Sequence, residues 1–335
     1  MKLRRIVPAL AALALVAQAL PSPARAEVRE IRFARQYGLG YLPLLVLEDQ
    51  KLIERRAAAA GLGDVKVTWA ILGGGAPSND ALLSGSVDYI STGVAPLVLL
   101  WAKSGGKVKG VAALGSTPVV VNTVNPAVRT VADFGEKDRI ALPSVKVSIQ
   151  AVVLQIAAEK AFGAAGWNRL DPLTVSLKHP DAAAAILSGR SEITAHVASP
   201  PFVEQELADK RVHAVLSSYD LLGGPHTFNV LSSTQAFADA NPKTFAVVYD
   251  ALAEAIAWIR KNPKAAAETY LRVSGSKEPL ASVLAQVQDP TNEYTTTPKR
   301  VGVFADFMAR VGTAPARPKG WRDLFFPTVH GQPGS

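Results

Sequence analysis

Ala81-Leu82-Leu83-Ser84-Gly85-Ser86-Val87-Asp88-Tyr89-Ile90 has a second copy 104 residues later, Ala185-Ile186-Leu187-Ser188-Gly189-Arg190-Ser191-Glu192-Ile193-Thr194. At the same offset the match runs on without a gap to Pro96 and Pro200. Each copy predicts a short helix that ends at glycine, a strand opened by an acidic residue, and a loop whose proline starts another helix. Glycine at the helix end fits a left-handed C-cap, which a residue without Cβ adopts freely.

The segments around the two copies also correspond. The predicted strands are residues 31–34, 65–69 and 108–114 around the first copy, and residues 139–142, 173–177 and 212–216 around the second. With the helices between them, the order β-α-β-α-β-α-β occurs twice, which is typical of mixed sheets covered on both faces. The chain is therefore predicted to be α/β, with two lobes of like construction.

Two β-branched or apolar runs, residues 119–124 and 227–231, suit strands that cross between the lobes. We therefore expect lobe one to comprise residues 27–118 and 228–335, lobe two to comprise residues 119–227, and a hinge of two crossing segments. Asn241-Pro242 and Thr297-Pro298 predict two helix starts near the end of the chain. The first helix would bury an apolar face of Phe245, Val248, Leu252, Ile256 and Ile259.

The first 26 residues are typical of a cleaved signal peptide. Lys2, Arg4 and Arg5 precede an apolar run over residues 6–20, and Ala24-Arg25-Ala26 is a small-x-small cleavage signature. The alternative, an N-terminal membrane anchor, needs a longer apolar run. Because this segment holds four basic residues and no acidic one, cleavage lowers the formal charge from +8 to +4. Export to the periplasm is the simplest expectation.

Composition and spacing exclude several function classes. The sequence has no cysteine, so disulfides, thiolate nucleophiles, cysteine metal sites and a cysteine-linked lipid anchor are all excluded. Its five histidines show no i, i+3 or i, i+4 pair, and no Gly-x-Ser-x-Gly occurs. A net charge of +4 is too mild for nucleic acid. We expect no enzyme activity, no metal and no cofactor.

Loops at the carboxyl ends of the strands form the binding crevice of open α/β sheets. Five loops qualify: residues 35–41, 73–79, 91–96, 143–150 and 196–201. Helix starts in such loops offer free N–H groups to an anion. The candidate ligand-binding residues are Gln36, Tyr37, Leu39, Ser78, Asn79, Gly93, Val94, Lys146, Ser148, His196 and Ser199.

Each candidate also has a structural interpretation. Residues 35–41 suit an ordinary tight turn, and Ser78 or Asn79 suits a helix N-cap. Lys146 suits the solvated surface and His196 a hydrogen-bonded core position. These alternatives stay open from the sequence alone.

The same loops resemble a known family, the solute-binding proteins of ABC importers in the nitrate, sulfonate and taurine group. The resemblance lies in residues 33–43, 81–88 with Gly93, 187–189 leading into Ser199-Pro200-Pro201, Asn241-Pro242-Lys243, and the tail from Trp321 to Phe326. It implies the type II two-lobe periplasmic binding protein fold, with a ligand held between the lobes.

The resemblance also implies a function and partners. We expect a monomeric, periplasmic receptor that delivers a small anionic organic solute, sulfonate- or taurine-like, to a membrane permease and its ATPase. The alternatives are a pyrimidine or aromatic acid as the solute, or an exported α/β enzyme acting on a small anion.

Overall fold

The computed structural model describes residues 27–335, and the predicted signal peptide lies outside the described residues. Ten strands form two five-stranded sheets. The strands of sheet one are β1 (Glu30–Arg35), β2 (Lys66–Ile71), β3 (Tyr89–Gly93), β4 (Val108–Ala113) and β10 (Asn229–Thr234). Those of sheet two are β5 (Val120–Thr123), β6 (Ile140–Leu142), β7 (Thr174–Ser176), β8 (Ala195–Ala198) and β9 (His213–Ser217).

The two sheets have the same strand order. Sheet one runs β2-β1-β3-β10-β4 and sheet two runs β7-β6-β8-β5-β9. In each sheet the first three strands are parallel, and the fourth, β10 or β5, is antiparallel to both of its neighbours. The structure thus confirms the α/β class and the two lobes, which we call lobe one and lobe two after their sheets.

Helices connect and cover the strands. The α helices of the part that the structure describes are α1 (Leu42–Gln50), α2 (Leu52–Ala59), α3 (Gly75–Leu83), α4 (Val94–Lys103), α5 (Ile149–Phe162), α6 (His179–Ser188), α7 (Phe202–Leu207), α8 (Ser218–Leu222), α9 (Gln235–Ala240), α10 (Pro242–Lys261), α11 (Pro263–Ser274), α12 (Leu280–Gln288) and α13 (Val301–Arg310). Among residues 27–335, no helix is both long enough and apolar enough to span a bilayer.

The repeated sequence folds alike up to its glycine and then diverges. Gly85 and Gly189 both adopt left-handed backbone angles, with φ of 71° and 63°, at the ends of α3 and α6. β3 then begins four residues after its glycine, whereas β8 begins six residues after. As a result Pro96 lies inside α4 while Pro200 precedes α7, so the predicted constant offset is wrong beyond the glycine.

Within residues 27–335 the chain crosses between the sheets at residues 114–119 and 223–228, which border the predicted runs 119–124 and 227–231, because β5 and β10 occupy most of those runs. A third segment packs beside the two crossings. The backbone N–H of Phe228 donates to Gly115 O at 3.0 Å, which joins the crossing segments. Ser116 and Glu293 exchange two backbone hydrogen bonds of 2.8 and 2.9 Å, which adds a strand-like segment from the C-terminal region. A Cβ on Gly115 would lie 2.3 Å from Glu293 O, so this close approach requires glycine.

The core of lobe one follows the predicted pattern on α10. All five residues of its predicted apolar face are buried, and α10 contacts α1 and α2. Phe33 stacks between Trp69 and Tyr89, with ring centroids 4.6 and 4.8 Å away. The helix predicted to open at Thr297-Pro298 instead begins at Val301, after Arg300 in a left-handed conformation.

Candidate functional site

The carboxyl ends of the strands of both sheets meet at one small cavity between the lobes. Its volume is about 10 Å³, close to the space that one water molecule needs. Eleven residues line this small cavity. Lobe one contributes Gln36, Tyr41, Gly75, Gly93, Pro96, Phe228 and Asn229, and lobe two contributes Ser148, Ile149, Gln150 and His179. None of these side chains carries a formal charge unless His179 is protonated, so any bound group would meet neutral dipoles.

The cavity is small because the lobes touch around it. The backbone N–H of Leu39 donates to Pro200 O of lobe two at 2.9 Å. Gly74 lies so close to lobe two that a Cβ there would be 2.3 Å from Ser144 Oγ and 2.5 Å from Pro143 O. A Cβ on Gly93 would lie 2.7 Å from Ile149 Cγ2. The glycines of the β2–α3 and β3–α4 connections therefore permit this closed arrangement.

Lobe one contributes amide side chains to the small cavity. Gln36 Nε2 makes a long hydrogen bond of 3.4 Å to Ser91 O, at the end of β3. Asn229 is 1% exposed, and neither atom of its side-chain amide makes a hydrogen bond of normal geometry with the described residues. A buried amide without well-formed hydrogen bonds is costly, and the Tyr41 hydroxyl is the polar side chain beside it in the same cavity wall.

Lobe two contributes a helix start and a buried hydrogen-bonded network. Ser148 is the N-cap of α5, because its hydroxyl accepts from the backbone N–H of Ala151 at 3.2 Å. Gln150, the second residue of that helix, lies with Nε2 3.1 Å from His179 Nε2. His179 in turn lies with Nδ1 2.8 Å from His196 Nε2. The cavity wall therefore leads directly into the interior of lobe two.

The network ends at a buried carboxylate. His196 Nδ1 lies 2.5 Å from Oε1 of Glu206 on α7, and both side chains are fully buried. Asn122 Nδ2 on β5 donates to Glu206 Oε2 at 2.9 Å. Burial, with a smaller effect from His196, holds the pKa of His179 well below its usual range. We call Gln150, His179, His196 and Glu206 the histidine network.

A large cavity of about 510 Å³ lies beside the small one and is also lined by both lobes. Gln36 lines both cavities, and Phe202 of the large cavity stacks on His179 of the small one with ring centroids 5.5 Å apart. Most of its lining is apolar. Its further lining residues include Tyr37, Leu45, Ile71, Ala183, Leu187 and Tyr270, with Arg35, Gln205 and Lys277 as polar members. Arg35 is itself held by Glu48, whose Oε2 lies 3.1 Å from Arg35 Nη2.

The structure brings some of the predicted site residues to these cavities. Gln36, Gly93 and Ser148 line the small cavity, and Tyr37 lines the large one beneath the Lys178 ammonium, which is 5.9 Å from the ring centroid. His196 lies behind His179 and lines neither cavity, which agrees with the core alternative for that residue. The ligand-binding role of all the candidate residues stays a prediction.

The other predicted residues lie elsewhere. Ser78 Oγ donates to Gly74 O and Asn79 Nδ2 donates to Pro96 O, and neither residue is among those that line the small or the large cavity. Both lie inside α3, whose N-cap is Gly74, so the N-cap alternative for them is wrong. Lys146 is exposed with a left-handed φ of 63°. Leu39, Val94 and Ser199 are buried at the lobe contact, outside the cavity linings.

Sequence reasoning missed the most polar part of the site. Gln150 lies in the considered loop 143–150, His179 follows the predicted strand 173–177 whose loop was not considered, and Asn229 lies in the predicted run 227–231; none of the three was selected. Lys178-His179-Pro180 directly follows a predicted strand, so the rule of carboxyl strand ends also applies to it. Asn229 gives no local signal, because its position depends on β10 joining sheet one. Within residues 27–335, no cluster of side chains could hold a metal ion.

No family model matches the sequence, and no curated protein matches it. Solved structures do match. The alkanesulfonate-binding protein SsuA from Xanthomonas axonopodis pv. citri, bound to MOPS, has a TM-score of 0.69 and 22% identity, covering 91% of this chain and 99% of that one. The periplasmic aliphatic sulphonate binding protein SsuA from Escherichia coli has a TM-score of 0.65 and 21% identity, covering 91% and 100%. The chain has the periplasmic binding protein fold.

A third neighbour of the periplasmic binding protein fold is the nitrate-binding protein NrtA from Synechocystis PCC 6803. It has a TM-score of 0.66 and 15% identity, covering 87% of this chain and 83% of that one. The likeness extends over both lobes in each case. In this fold the region between the lobes is the place where a ligand can contact both sheets, which is where both cavities of this chain lie.

Proposed function

We propose that the protein is a non-enzymatic receptor that binds a small anionic organic solute between its lobes and delivers it to an ABC import permease and its ATPase. It would act in the periplasm as a monomer after cleavage at residue 26, with lobe one at residues 27–118 and 228–335 and lobe two at residues 119–227. The observation that carries this proposal is the convergence of loops from both sheets on one cavity lined by uncharged donors.

Neutral donors suit an anionic head group. The first backbone N–H groups of α5, where Ser148 is the N-cap, would stabilise negative charge without a buried cation. The start of α4 contributes less, because Val94 N–H donates to Phe228 O at 3.1 Å and Pro96 has no N–H. The amides of Gln36 and Asn229 face the same cavity from lobe one. The structural neighbours SsuA and NrtA are named as alkanesulfonate- and nitrate-binding proteins, and sulfonates and nitrate are anions of this kind.

A solute larger than one water molecule requires the lobes to open partially. The small cavity of about 10 Å³ admits one water-sized group, so a sulfonate would separate the lobes further than they are in this structure. The apolar part of an organic solute would then extend past Gln36 into the large cavity of about 510 Å³. Binding would favour the arrangement in which both lobes contact the solute.

The large cavity also supports a second candidate solute. Phe202 and Tyr37 present aromatic rings there, and aromatic pairs gain about 0.5–1.5 kcal/mol beyond burial. An aromatic carboxylic acid would place its ring between these side chains and its carboxylate at the small cavity. The enzyme alternative rests on the His196–Glu206 pair, which resembles an acid–base pair but lies behind His179.

Calorimetry on the exported protein tests these proposals. Ethanesulfonate, taurine, nitrate and benzoate are titrated separately in buffers without sulfonate groups, and the mixtures are then analysed for turnover. We expect one of these four solutes to bind with an affinity in the micromolar range or tighter and to be unchanged in composition afterwards; taurine, a zwitterion, carries the sulfonate head group without a net charge. Failure of all four to bind would contradict the anionic receptor, and conversion of a bound anion would support the enzyme alternative.

A further inference from the structure

The contacts of Glu206, at the buried end of the histidine network, determine which atoms of the network donate hydrogen bonds and which accept them. Asn122 Nδ2 bridges Glu206 Oε2 at 2.9 Å and Val203 O at 3.5 Å, and an amide nitrogen can only donate. Glu206 therefore accepts at Oε2, and its Oε1 faces His196 Nδ1. With Glu206 as a carboxylate, His196 donates from Nδ1, and its Nε2 is left to face His179.

Two proton arrangements then satisfy every contact. In the first, both histidines are neutral, His179 Nδ1–H donates to His196 Nε2, and the Gln150 amide N–H donates to His179 Nε2. In the second, His196 is an imidazolium that donates from Nε2 to His179 Nδ1, and His179 Nε2–H donates to Gln150 Oε1. The second arrangement holds one proton more than the first.

The arrangements differ in what they present to the small cavity. In the first, the amide N–H₂ of Gln150 is engaged by His179 and its oxygen is free to accept. In the second, the amide is turned over and its N–H₂ group is free to donate. We propose that the histidine network sets this polarity, that Gln150 and His179 thereby determine specificity, and that an anionic solute binds together with one proton.

The proton has a complete path. It enters from the small cavity at His179 Nε2, as the Gln150 amide turns over, and His179 passes its Nδ1 proton to His196 Nε2, so His179 ends neutral and the charge rests beside Glu206. Burial already disfavours charge on His179, whose pKa is well below its usual range. The anion and the imidazolium then add no net charge to the closed lobes, which lowers the cost of desolvation.

Other ionisable side chains near the histidine network are Glu204, Lys178 and Arg35. Glu204, on the same helix as Glu206, has its pKa raised to about 7 by burial, with smaller effects from nearby acids. Lys178 beside His179 is exposed and lies 3.5 Å from Asp181 Oδ2. Arg35 of the large cavity is held by Glu48. Of these three side chains, Glu204 is the one whose pKa lies near neutrality.

The inference rests on the proposed function, and its test is the number of protons taken up on binding. Ethanesulfonate and nitrate stay fully ionised between about pH 5 and 9, so any proton exchanged belongs to the protein. Calorimetry at one pH in cacodylate and in bis-Tris, which differ in ionisation enthalpy, gives that number for the parent protein. We expect uptake of about one proton, and an affinity that falls with rising pH by up to about tenfold per pH unit wherever that uptake is seen.

Glu206→Gln removes the carboxylate that holds the imidazolium and keeps the side-chain shape. We expect this variant to bind the anion with no proton uptake and with an affinity independent of pH. The matched control is His213→Gln on β9 of the same sheet. The His213 ring contacts Val128 O at 2.7 Å, outside the histidine network, so this variant should behave like the parent. Repeating the titrations in Glu204→Gln removes the contribution of that carboxyl.

The outcomes separate the two proposals. Binding of either anion by the parent with no proton uptake overturns the histidine network as a polarity switch and leaves the receptor standing. Uptake that persists in Glu206→Gln overturns the assignment to this network. If only taurine or benzoate binds, the proton count is taken with that solute. Absence of binding by all four solutes at every pH contradicts the anionic receptor and this inference with it. The parent measurement decides the matter even if Glu206→Gln does not fold.

Discussion

Lobe one and lobe two have the same strand order, yet they bring different chemistry to the cavity between them. β3 of lobe one ends in Ser91, Thr92 and Gly93, whereas β8 of lobe two holds His196 and connects it to Glu206. Lobe one therefore presents amides and backbone groups, and lobe two presents one end of a buried ionisable network. A shared topology places the loops, and the buried polar residues behind them decide what each lobe can recognise.

The largest expected effect is on the stability of lobe two. Glu206→Ala leaves His196 and the Asn122 amide buried without their acceptor, and breaking such a pair costs about 3–5 kcal/mol. In lobe one, Glu254→Ala removes an exposed ion pair with Arg56, which is worth about 0–1 kcal/mol. Chemical denaturation of both variants measures the free energies of unfolding. Equal losses would remove the contrast between the lobes.

Glu204 allows a test of the contact between the lobes, because its contribution to the free energy of unfolding depends on pH. Burial, and then the nearby Glu278, Asp289 and Glu206, raise the pKa of Glu204 to about 7. Because the folded protein then holds the proton more tightly than the unfolded chain, this group destabilises the fold as pH rises from about 4.5 to 7. Relative to the parent, Glu204→Gln should gain up to about 3 kcal/mol above pH 7 and nothing in acid.

The quantity to measure for Glu204 is the difference between variant and parent in unfolding free energy across pH. The parent profile alone is not enough, because burial also lowers the pKa of His179 and lowers that of His226 to about 4. Those two groups make stability rise with pH in the acid range, which is the opposite sign. A difference that stays constant across pH would show that Glu204 has an ordinary environment.

Gly74→Ala tests whether function needs the lobes as close as they are here. The added Cβ would lie 2.3 Å from Ser144 Oγ, and overpacking of this kind costs about 1–3 kcal/mol. We expect the partial opening that a solute requires at the small cavity to leave Gly74 against lobe two, so the clash persists in the bound form and solute affinity falls about 5- to 150-fold. The empty variant can relieve the clash by opening, so its stability should change little. Small-angle scattering should show a larger radius of gyration for the liganded variant.

Gly302→Ala is the matched control for Gly74→Ala, since no atom lies within 4 Å of the Cβ that it would add to α13. It should bind and scatter like the parent. If Gly74→Ala also bound like the parent, the solute-bound form would have to be more open than this structure at Gly74.

The smallest expected effects distinguish Ser148 from Asn79. Ser148→Ala removes the N-cap of α5 at the cavity wall, so it should cost about 1 kcal/mol of stability and weaken binding. Asn79→Ala removes a hydrogen bond to the carbonyl oxygen of Pro96, but Asn79 itself does not line the small cavity, so affinity should change less than about twofold. Calorimetry and thermal unfolding of both variants measure this. A larger affinity loss in Asn79→Ala would move the site toward α3.

The fold was accessible from the sequence because its signals are local. Alternating strands and helices, Gly85 and Gly189 at helix ends, and the apolar spacing on α10 each depend on residues a few positions apart. The repeat then implied two like lobes, and the loops at carboxyl strand ends followed from the general behaviour of α/β sheets. Of the candidate side chains, Gln36 and Ser148 reach the small cavity because they begin or precede a helix at such a loop.

By itself, the sequence determined the α/β class, the two lobes, their crossing segments and the loops from which a site could be built. Only the tertiary structure decided that Ser78 and Asn79 turn away and that Gly74 is needed for closure. It also brought His179, His196 and Glu206 into one network. The physical reason is that periodicity records which face of an element is buried, whereas a hydrogen bond between distant elements depends on their packing.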